Sequence, residues 1–253
     1  MWVKLIFLCI AGYIAAIVDA IAGGGGLISL PAYLFFGIPP HMALGTNKFS
    51  GTACSFTSSY HYFRYGKTNG KLLRWLIPFS LLGACFGVFT VLRINQQTLR
   101  IVLSGLIFLI GIYSLFSKKL GETNHFQGVS TYNLLLGSFF ALLIGFYDGF
   151  FGPGAGSFLL FLFVKIYRYD FLNASGNAKV LNFISNITSL TLFIVHGKIM
   201  YLYAVPVSFF MVLGAMTGSR IAYLRGTKII KPIFVMMSLG IAIKLLFDFF
   251  KTL

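Results

Sequence analysis

The stretch Asp19-Ala-Ile-Ala-Gly-Gly-Gly-Gly26 decides the fold, because it interrupts a long apolar segment near the start of the chain. Four consecutive glycines end a helix, since each costs roughly 1 kcal/mol relative to alanine. A related stretch, Asp148-Gly-Phe-Phe-Gly-Pro-Gly-Ala-Gly156, lies in the other half of the sequence. In a membrane protein, such breaks are tolerated only where protein or a water-filled cavity surrounds them. The two stretches therefore predict broken helices around an internal site.

The composition places these breaks in a membrane. The chain has 253 residues, of which 58% are hydrophobic and 10% charged, and its mean hydropathy is +0.87. Soluble domains carry roughly 25% charged residues, so a soluble enzyme, a disordered protein and a disulfide scaffold are excluded. We expect a multi-pass protein of the cell membrane. Its net charge of +15 is then explained by cytoplasmic loops that contact anionic lipid, and not by nucleic acid.

Eight segments are long and apolar enough to cross a bilayer as helices. They are 3–22, 44–63, 72–92, 98–117, 132–151, 174–195, 201–219 and 230–250. Two shorter apolar segments, 27–37 and 157–166, follow the glycine breaks. The polar segment 118–131 divides the chain into a first repeat, 1–117, and a second repeat, 132–253.

The two halves resemble each other. A shift of 131 residues pairs Lys48 with Lys179, and a shift of 129 pairs Asp19 with Asp148. Matched charged residues arise by chance less often than matched glycines do. We therefore predict an internal duplication, which is common in transporters.

The positive charges predict how the repeats are oriented. If each repeat begins with a broken hairpin that turns back at its glycines, and three full crossings follow, the repeats are inverted. Twelve cations then lie inside: Arg64, Lys67, Lys71, Arg74, Lys118, Lys119, Lys165, Arg168, Arg220, Arg225, Lys228 and Lys231. Five lie outside: Lys4, Arg93, Arg100, Lys198 and Lys251. Eight full spans give nine against eight, so the positive-inside rule favours the inverted arrangement. The predicted fold is an all-α polytopic membrane protein with two inverted repeats, each a broken re-entrant hairpin plus three transmembrane helices.

The glycine breaks are the first candidate binding site. Free N–H groups at the start of a half-helix form a positive end that binds anions. The backbone groups concerned belong to Gly24, Gly25, Gly26, Gly154 and Gly156. Close helix packing through small residues is the alternative interpretation.

The second candidate site is formed by Ala43-Leu-Gly-Thr-Asn-Lys48 and Ala174-Ser-Gly-Asn-Ala-Lys179, which each open a long helix. Hydroxyl or amide groups beside a cation suit a small oxyanion. The candidates for substrate contact are Thr46, Asn47, Lys48, Asn177 and Lys179. Alternatively, both lysines snorkel to the membrane interface.

Two of the five acids, Asp19 and Asp148, precede the breaks. A carboxylate at membrane depth is costly and marks a functional site by default. Each acid is a candidate to pair with a lysine or to carry a coupled proton, or else to cap the glycine stretch. No sequence motif indicates a nucleophile, a metal site or a cofactor, so we do not expect an enzyme.

Gly23-Gly-Gly-Gly-Leu-Ile-Ser-Leu-Pro31 and Gly37-Ile-Pro-Pro-His-Met-Ala-Leu-Gly-Thr-Asn-Lys48 resemble the first repeat of the TauE/SafE sulfite-exporter-like permeases. Gly152-Pro-Gly-Ala-Gly156 and Ala174-Ser-Gly-Asn-Ala-Lys179 resemble the second. In the second repeat, however, Pro153 and Ala155 interrupt the glycines, and Asn177-Ala178 replaces a Thr-Ser-type pair. The resemblance implies a carrier of small anions, typically sulfur-containing ones such as sulfite, sulfonates or sulfoacetate.

From these observations we expect a secondary transporter of a small anion that works by alternating access between the repeats. Asp19 and Asp148 are its candidates for coupling to protons. A passive anion channel is the alternative. The partners expected are the anion and membrane lipid, and a homo-oligomer is compatible with the sequence.

Overall fold

The computed structural model describes residues 2–99, 101–103, 105–106, 123–126 and 128–225. The predicted span 230–250, most of 98–117 and the first part of the connecting segment 118–131 lie outside these residues. Within the described residues, secondary structure consists of helices without strands. Eight of these helices have the following bounds: α1 Trp2–Ala22, α2 Gly26–Phe35, α3 Pro40–Arg64, α4 Gly70–Arg93, α5 Thr131–Phe150, α6 Ala155–Ile166, α7 Phe171–Val195 and α8 Tyr201–Arg225. The all-α prediction is confirmed.

Five of these helices, α1, α4, α5, α7 and α8, are long and apolar enough to cross a membrane. The short apolar helices α2 and α6 follow the glycine breaks as predicted. Helix α3 has 25 residues but is less apolar, because hydroxyl and amide side chains occupy its buried face. Its length covers the predicted segment 44–63.

Each short helix folds back along the helix before it. Gly23 and Gly152 have φ values of +81° and +97°, a conformation that glycine adopts without a steric penalty. After the first break, α2 returns so far that Phe36 contacts Phe7, with the ring centroids 5.3 Å apart. After the second, the Tyr167 hydroxyl donates to the carbonyl of Asn133, at the start of α5 (3.0 Å). Both broken segments are therefore helical hairpins.

The two breaks meet at the centre of the molecule. The Cα of Gly23 lies 2.7 Å from the position that a Cβ on Gly156 would occupy. Ser157 fixes the crossing, because its N–H donates to the Gly23 carbonyl (3.2 Å) and its hydroxyl to the Ala22 carbonyl (2.8 Å). Glycine is required here because two backbones pass in direct contact.

Helices α3 and α7 pass each other in opposite directions beside this crossing. Near the end of α3, the hydroxyl of Ser59 donates to the carbonyl of Lys179, near the start of α7 (2.8 Å). Near the start of α3, the Lys48 ammonium donates to Asn186, further along α7 (3.0 Å). The polar faces of both helices are thus buried against each other.

Each of the remaining long helices packs, through a glycine contact, against a helix of the other half of the chain. Gly83 on α4 lies against the backbone of α5 at Leu142, and Gly214 on α8 lies against the backbone of α1 at Tyr13. Gly83 and Gly214 are related by the shift of 131 residues. Large apolar side chains such as Phe86, Phe139 and Phe209 are exposed on these helices, as expected for helices that face lipid.

Candidate functional site

Two ion pairs lie at the centre of the molecule, and each joins one half of the chain to the other. The Lys48 ammonium of α3 is 2.6 Å from the Asp148 carboxylate of α5. The Lys179 ammonium of α7 is 2.6 Å from the Asp19 carboxylate of α1. Both lysine side chains are only 3% exposed. They are therefore buried against carboxylates and do not snorkel to the interface.

Asp148 is the more enclosed of the two acids, with a side chain that is 2% exposed. One carboxylate oxygen accepts from Lys48, and the other accepts from the Asn182 amide (3.2 Å) and the Ser185 hydroxyl. A buried ion pair is tolerated when further hydrogen bonds satisfy its remaining lone pairs. Three side-chain donors meet that requirement for Asp148.

Asp19 is bound by fewer strong donors. One carboxylate oxygen accepts from the N–H of Gly25 in the break (3.2 Å). The other accepts from Lys179 and from the thiol of Cys54, whose sulfur is 3.6 Å away. Asp19 thus combines the two roles expected from the sequence, since it pairs with a lysine and also caps the glycine stretch. Its side chain is 14% exposed.

A cavity of about 30 Å³ lies between the ion pairs and the crossing of the breaks. This volume admits water-sized molecules but no sulfonate, since one water needs roughly 10–15 Å³ on this measure. The cavity in this structure is therefore too narrow for such an anion. The cavity is lined by Asp19, Gly23, Gly26, Ser29, Asn47, Lys48, Gly51, Cys54, Asp148, Gly152, Gly154, Gly156, Asn182, Asn186 and Met211.

Several hydrogen-bond donors along this cavity have no acceptor among the described residues. The Asn47 carbonyl oxygen accepts from the Ser29 hydroxyl (2.6 Å), but its amide nitrogen makes no such bond. Lys48 uses two of its three N–H bonds, on Asp148 and Asn186. The backbone N–H groups of Gly26 and Gly156 are also free of acceptors within the described part of the chain. Such donors are suited to an oxyanion.

Two predicted contact residues lie elsewhere. The hydroxyl of Thr46 accepts from the N–H of Met200, and the amide oxygen of Asn177 accepts from the N–H of Asn69 (3.0 and 2.8 Å). Each therefore anchors a loop of the opposite half of the chain, and neither lines the central cavity. Gly24 lies within the first break, where its carbonyl accepts from Leu27.

The structure brings the other predicted residues together. Gly26, Asn47, Lys48, Gly154, Gly156, Asp19 and Asp148 border one cavity, Gly25 binds Asp19, and Lys179 adjoins the cavity through Asp19. The substrate-binding role of each residue stays a prediction.

Sequence reasoning missed the polar residues of α7 that bind the Lys48–Asp148 pair. Asn182, Ser185 and Asn186 follow Lys179 at intervals of three, six and seven residues. This spacing places them on one face of a helix, and that pattern was available in the sequence. The corresponding residues of the first half are Gly51, Cys54 and Ser55, so comparing the halves conceals the pattern.

An all-helical fold with several membrane-spanning helices, whose halves meet at buried charges and broken helices, defines the class of multi-pass membrane transporters. The profile of the family described as Sulfite exporter TauE/SafE matches residues 8–245. The chain belongs to this family, which is a family of transporters and not of enzymes, and it is a multi-pass protein of the cell membrane.

Curated relatives cover nearly the whole chain. A "Probable membrane transporter protein" of Haemophilus influenzae is 36% identical over 96% of this chain and 94% of its own length. "Probable membrane transporter protein ORF9" of Sinorhizobium sp is 37% identical over 96% and 93%. "Probable membrane transporter protein YfcA" of Escherichia coli K12 is 35% identical over 93% and 87%. No solved structure matches the chain.

Proposed function

We propose that this protein is a secondary transporter of a small anion, bound between two inverted repeats and moved by alternating access. The main support for the proposal is that two buried ion pairs, Lys48–Asp148 and Lys179–Asp19, each join one half of the chain to the other. Both lie beside a cavity at the crossing of the two helix breaks. A purely structural core would not need four buried charges, because well-packed apolar side chains stabilise a protein at least as well.

The directions of the helices support the inverted arrangement. Helices α3 and α7 occupy equivalent positions in the two halves and run in opposite directions. If the halves are related by a two-fold axis, that axis is then perpendicular to both helices and lies in the plane of the membrane. The hairpins α1–α2 and α5–α6 correspond to the predicted re-entrant segments, with their tips at the crossing.

The free donors of the cavity support an anionic substrate. The Asn47 amide, the remaining N–H of Lys48 and the two glycine N–H groups are the kinds of groups that bind sulfonate or carboxylate oxygens. The family description, Sulfite exporter TauE/SafE, supports a sulfur-containing anion such as sulfite, a sulfonate or sulfoacetate. Movement of one repeat against the other would then widen the narrow cavity and open it to each side in turn.

The charges of the site support coupling to protons. The two lysines and two carboxylates sum to zero, so an anion in this poorly solvated site needs a compensating positive charge. Protonation of Asp19 or Asp148 would supply it. A passive anion channel, the second candidate, needs no such acid.

Ligand binding by the purified protein tests the proposal. We expect sulfite, thiosulfate, a sulfonate or a carboxylate to raise the unfolding temperature, and chloride to do so less. In Asn47→Ala, which removes the free amide of the cavity, the shift should fall by at least half. Asn124→Ala, at an exposed loop asparagine, is the matched control and should keep the full shift. An equal shift in both variants would refute the proposed site.

A further inference from the structure

We propose that Asp19 is the acid that takes up the coupling proton, and that one proton is transported together with one monovalent anion. This inference rests on the proposed transport function. It goes beyond that function because it chooses between two acids and limits the charge of the substrate.

The surroundings of the two carboxylates differ although the residues are equivalent in the repeats. Asp148 accepts from an ammonium, an amide and a hydroxyl, and its side chain is nearly inaccessible. In place of the amide and hydroxyl of Asn182 and Ser185, the first half has Gly51 and Cys54. Binding of a proton at Asp148 would therefore disturb hydrogen bonds from three strong side-chain donors, whereas at Asp19 it would disturb fewer of them. Asp19 is also the more accessible acid, at 14% against 2%, so a proton can reach it more directly from water.

The charged and titratable groups that face Asp19 come from three helices. Helix α7 contributes Lys179, which is in contact. Helix α3 contributes Cys54 in contact, and Lys48 and Tyr62 further away. Helix α5 contributes Asp148, on the same cavity, while the contribution of α8 to the cavity is the uncharged Met211. Asp19 therefore sits between one close cation and one more distant ion pair.

The sum of these charges sets the stoichiometry. With Lys48, Lys179, Asp19 and Asp148 all ionised, the site is neutral. When a proton binds a carboxylate oxygen of Asp19, Lys179 remains an ammonium and the site gains one positive charge. A monovalent anion in the cavity restores neutrality, whereas a divalent anion leaves an unpaired negative charge in a buried site, which is costly. When the anion leaves, Asp19 releases its proton and pairs with Lys179 again.

One side chain on the cavity wall, Asn47, has a hydrogen-bond donor that is available to such an anion. Asn47 is 8% exposed, and its amide nitrogen donates to no described residue although its oxygen is held by Ser29. It lies beside Lys48 and the N–H of Gly26 on the cavity wall. The anion would thus meet neutral donors and a cation, while the added charge comes from the proton on Asp19.

Transport into proteoliposomes tests whether the protein carries a monovalent anion in preference to a divalent one. Methanesulfonate and sulfate are both tetrahedral sulfur oxyanions, but methanesulfonate carries one negative charge and sulfate two. With the membrane potential held at zero by potassium and valinomycin, an acidic exterior should drive methanesulfonate inward. The accumulation at equilibrium should be about tenfold per pH unit, with one proton taken up per anion, as measured by an internal pH dye. Sulfate should enter at least tenfold more slowly.

Variants of Asp19 assign the proton to this residue. Asp19→Asn mimics the protonated acid, so it should exchange methanesulfonate across the membrane at every pH between 5 and 8 but lose pH-driven accumulation. Asp19→Glu should retain accumulation. The matched control, Asp170→Asn, removes a carboxylate that caps the start of α7 away from the cavity, and it should behave as the wild type.

Three results would overturn the inference: pH-driven accumulation by Asp19→Asn, equal rates for sulfate and methanesulfonate, or uptake that follows the membrane potential instead of the pH gradient. The second and third are measured on the wild-type protein, so they stand even if a variant does not fold. If the wild type exchanges neither anion, the proposed transport function itself fails, which is a separate outcome.

Discussion

Removing one partner of the Lys48–Asp148 pair should destabilise the protein far more than removing both. In Lys48→Met, the apolar part of the side chain is kept, but the Asp148 carboxylate remains buried without its cation. Loss of one partner of a buried ion pair costs about 3–5 kcal/mol. We expect a value near the lower end, because Asn182 and Ser185 still donate to Asp148.

Asp148→Asn should cost a similar amount, because the buried Lys48 ammonium keeps neutral acceptors such as Asn186 but loses the negative charge that compensates it. The double variant Lys48→Met/Asp148→Asn leaves no unpaired charge at this position. We therefore expect it to be destabilised by about 1–2 kcal/mol, since two neutral groups of similar volume replace the ion pair. The costs of the single changes are then strongly non-additive, as expected for groups in contact.

Reversible unfolding in mixed micelles, followed by tryptophan fluorescence or by protease susceptibility, measures these free energies. The exposed Lys165 provides the matched control, since Lys165→Met should change the free energy of unfolding by less than about 0.5 kcal/mol. If Lys48→Met costs no more than this control, or if the two single changes simply add, Lys48 and Asp148 do not form a buried pair.

Two further predictions concern the break and the loop anchor. Gly23→Ala should destabilise the protein by at least about 3 kcal/mol, because its positive φ is unfavourable for alanine and its Cβ would overlap the backbone of Gly156. The control Gly37→Ala has a similar φ but open space around the new Cβ, so it should cost only about 1–2 kcal/mol. If the same unfolding assay gave equal costs for Gly23→Ala and Gly37→Ala, the backbone contact at the crossing would be contradicted. Thr46→Val should cost about 1–3 kcal/mol by leaving the Met200 N–H without an acceptor, while the dissociation constant for the anion stays within twofold by isothermal titration. A tenfold weaker affinity would instead place Thr46 at the substrate.

The features of this protein that are local in sequence were predictable. The glycine breaks at Gly23 and Gly152 follow from the intrinsic preference of glycine, and the helices on either side follow from apolar runs of sufficient length. The repeated Lys48 and Lys179 indicated the helices that carry the candidate site. These signals need only a short window of sequence or a comparison of the two halves.

The pairing of charges was not predictable in the same way. That Lys48 pairs with Asp148 and Lys179 with Asp19 depends on how the two halves pack, and residues 100 positions apart or more carry no local sign of contact. The loop-anchoring roles of Thr46 and Asn177 have the same origin, since each accepts a hydrogen bond from the opposite half. An amide or hydroxyl beside a lysine resembles an anion site in sequence whether it binds a ligand or a loop.

Counterflow in proteoliposomes tests the central claim, that a small anion is carried by alternating access at a site between the two halves. Vesicles loaded with unlabelled methanesulfonate are diluted into labelled methanesulfonate, and the label inside is followed over time. A carrier predicts a transient accumulation of label above its external concentration, reduced at least tenfold by Gly23→Ala, which obstructs the crossing of the breaks. Label that rises only to equilibrium, at a rate that does not saturate with concentration, would contradict the carrier and favour a channel.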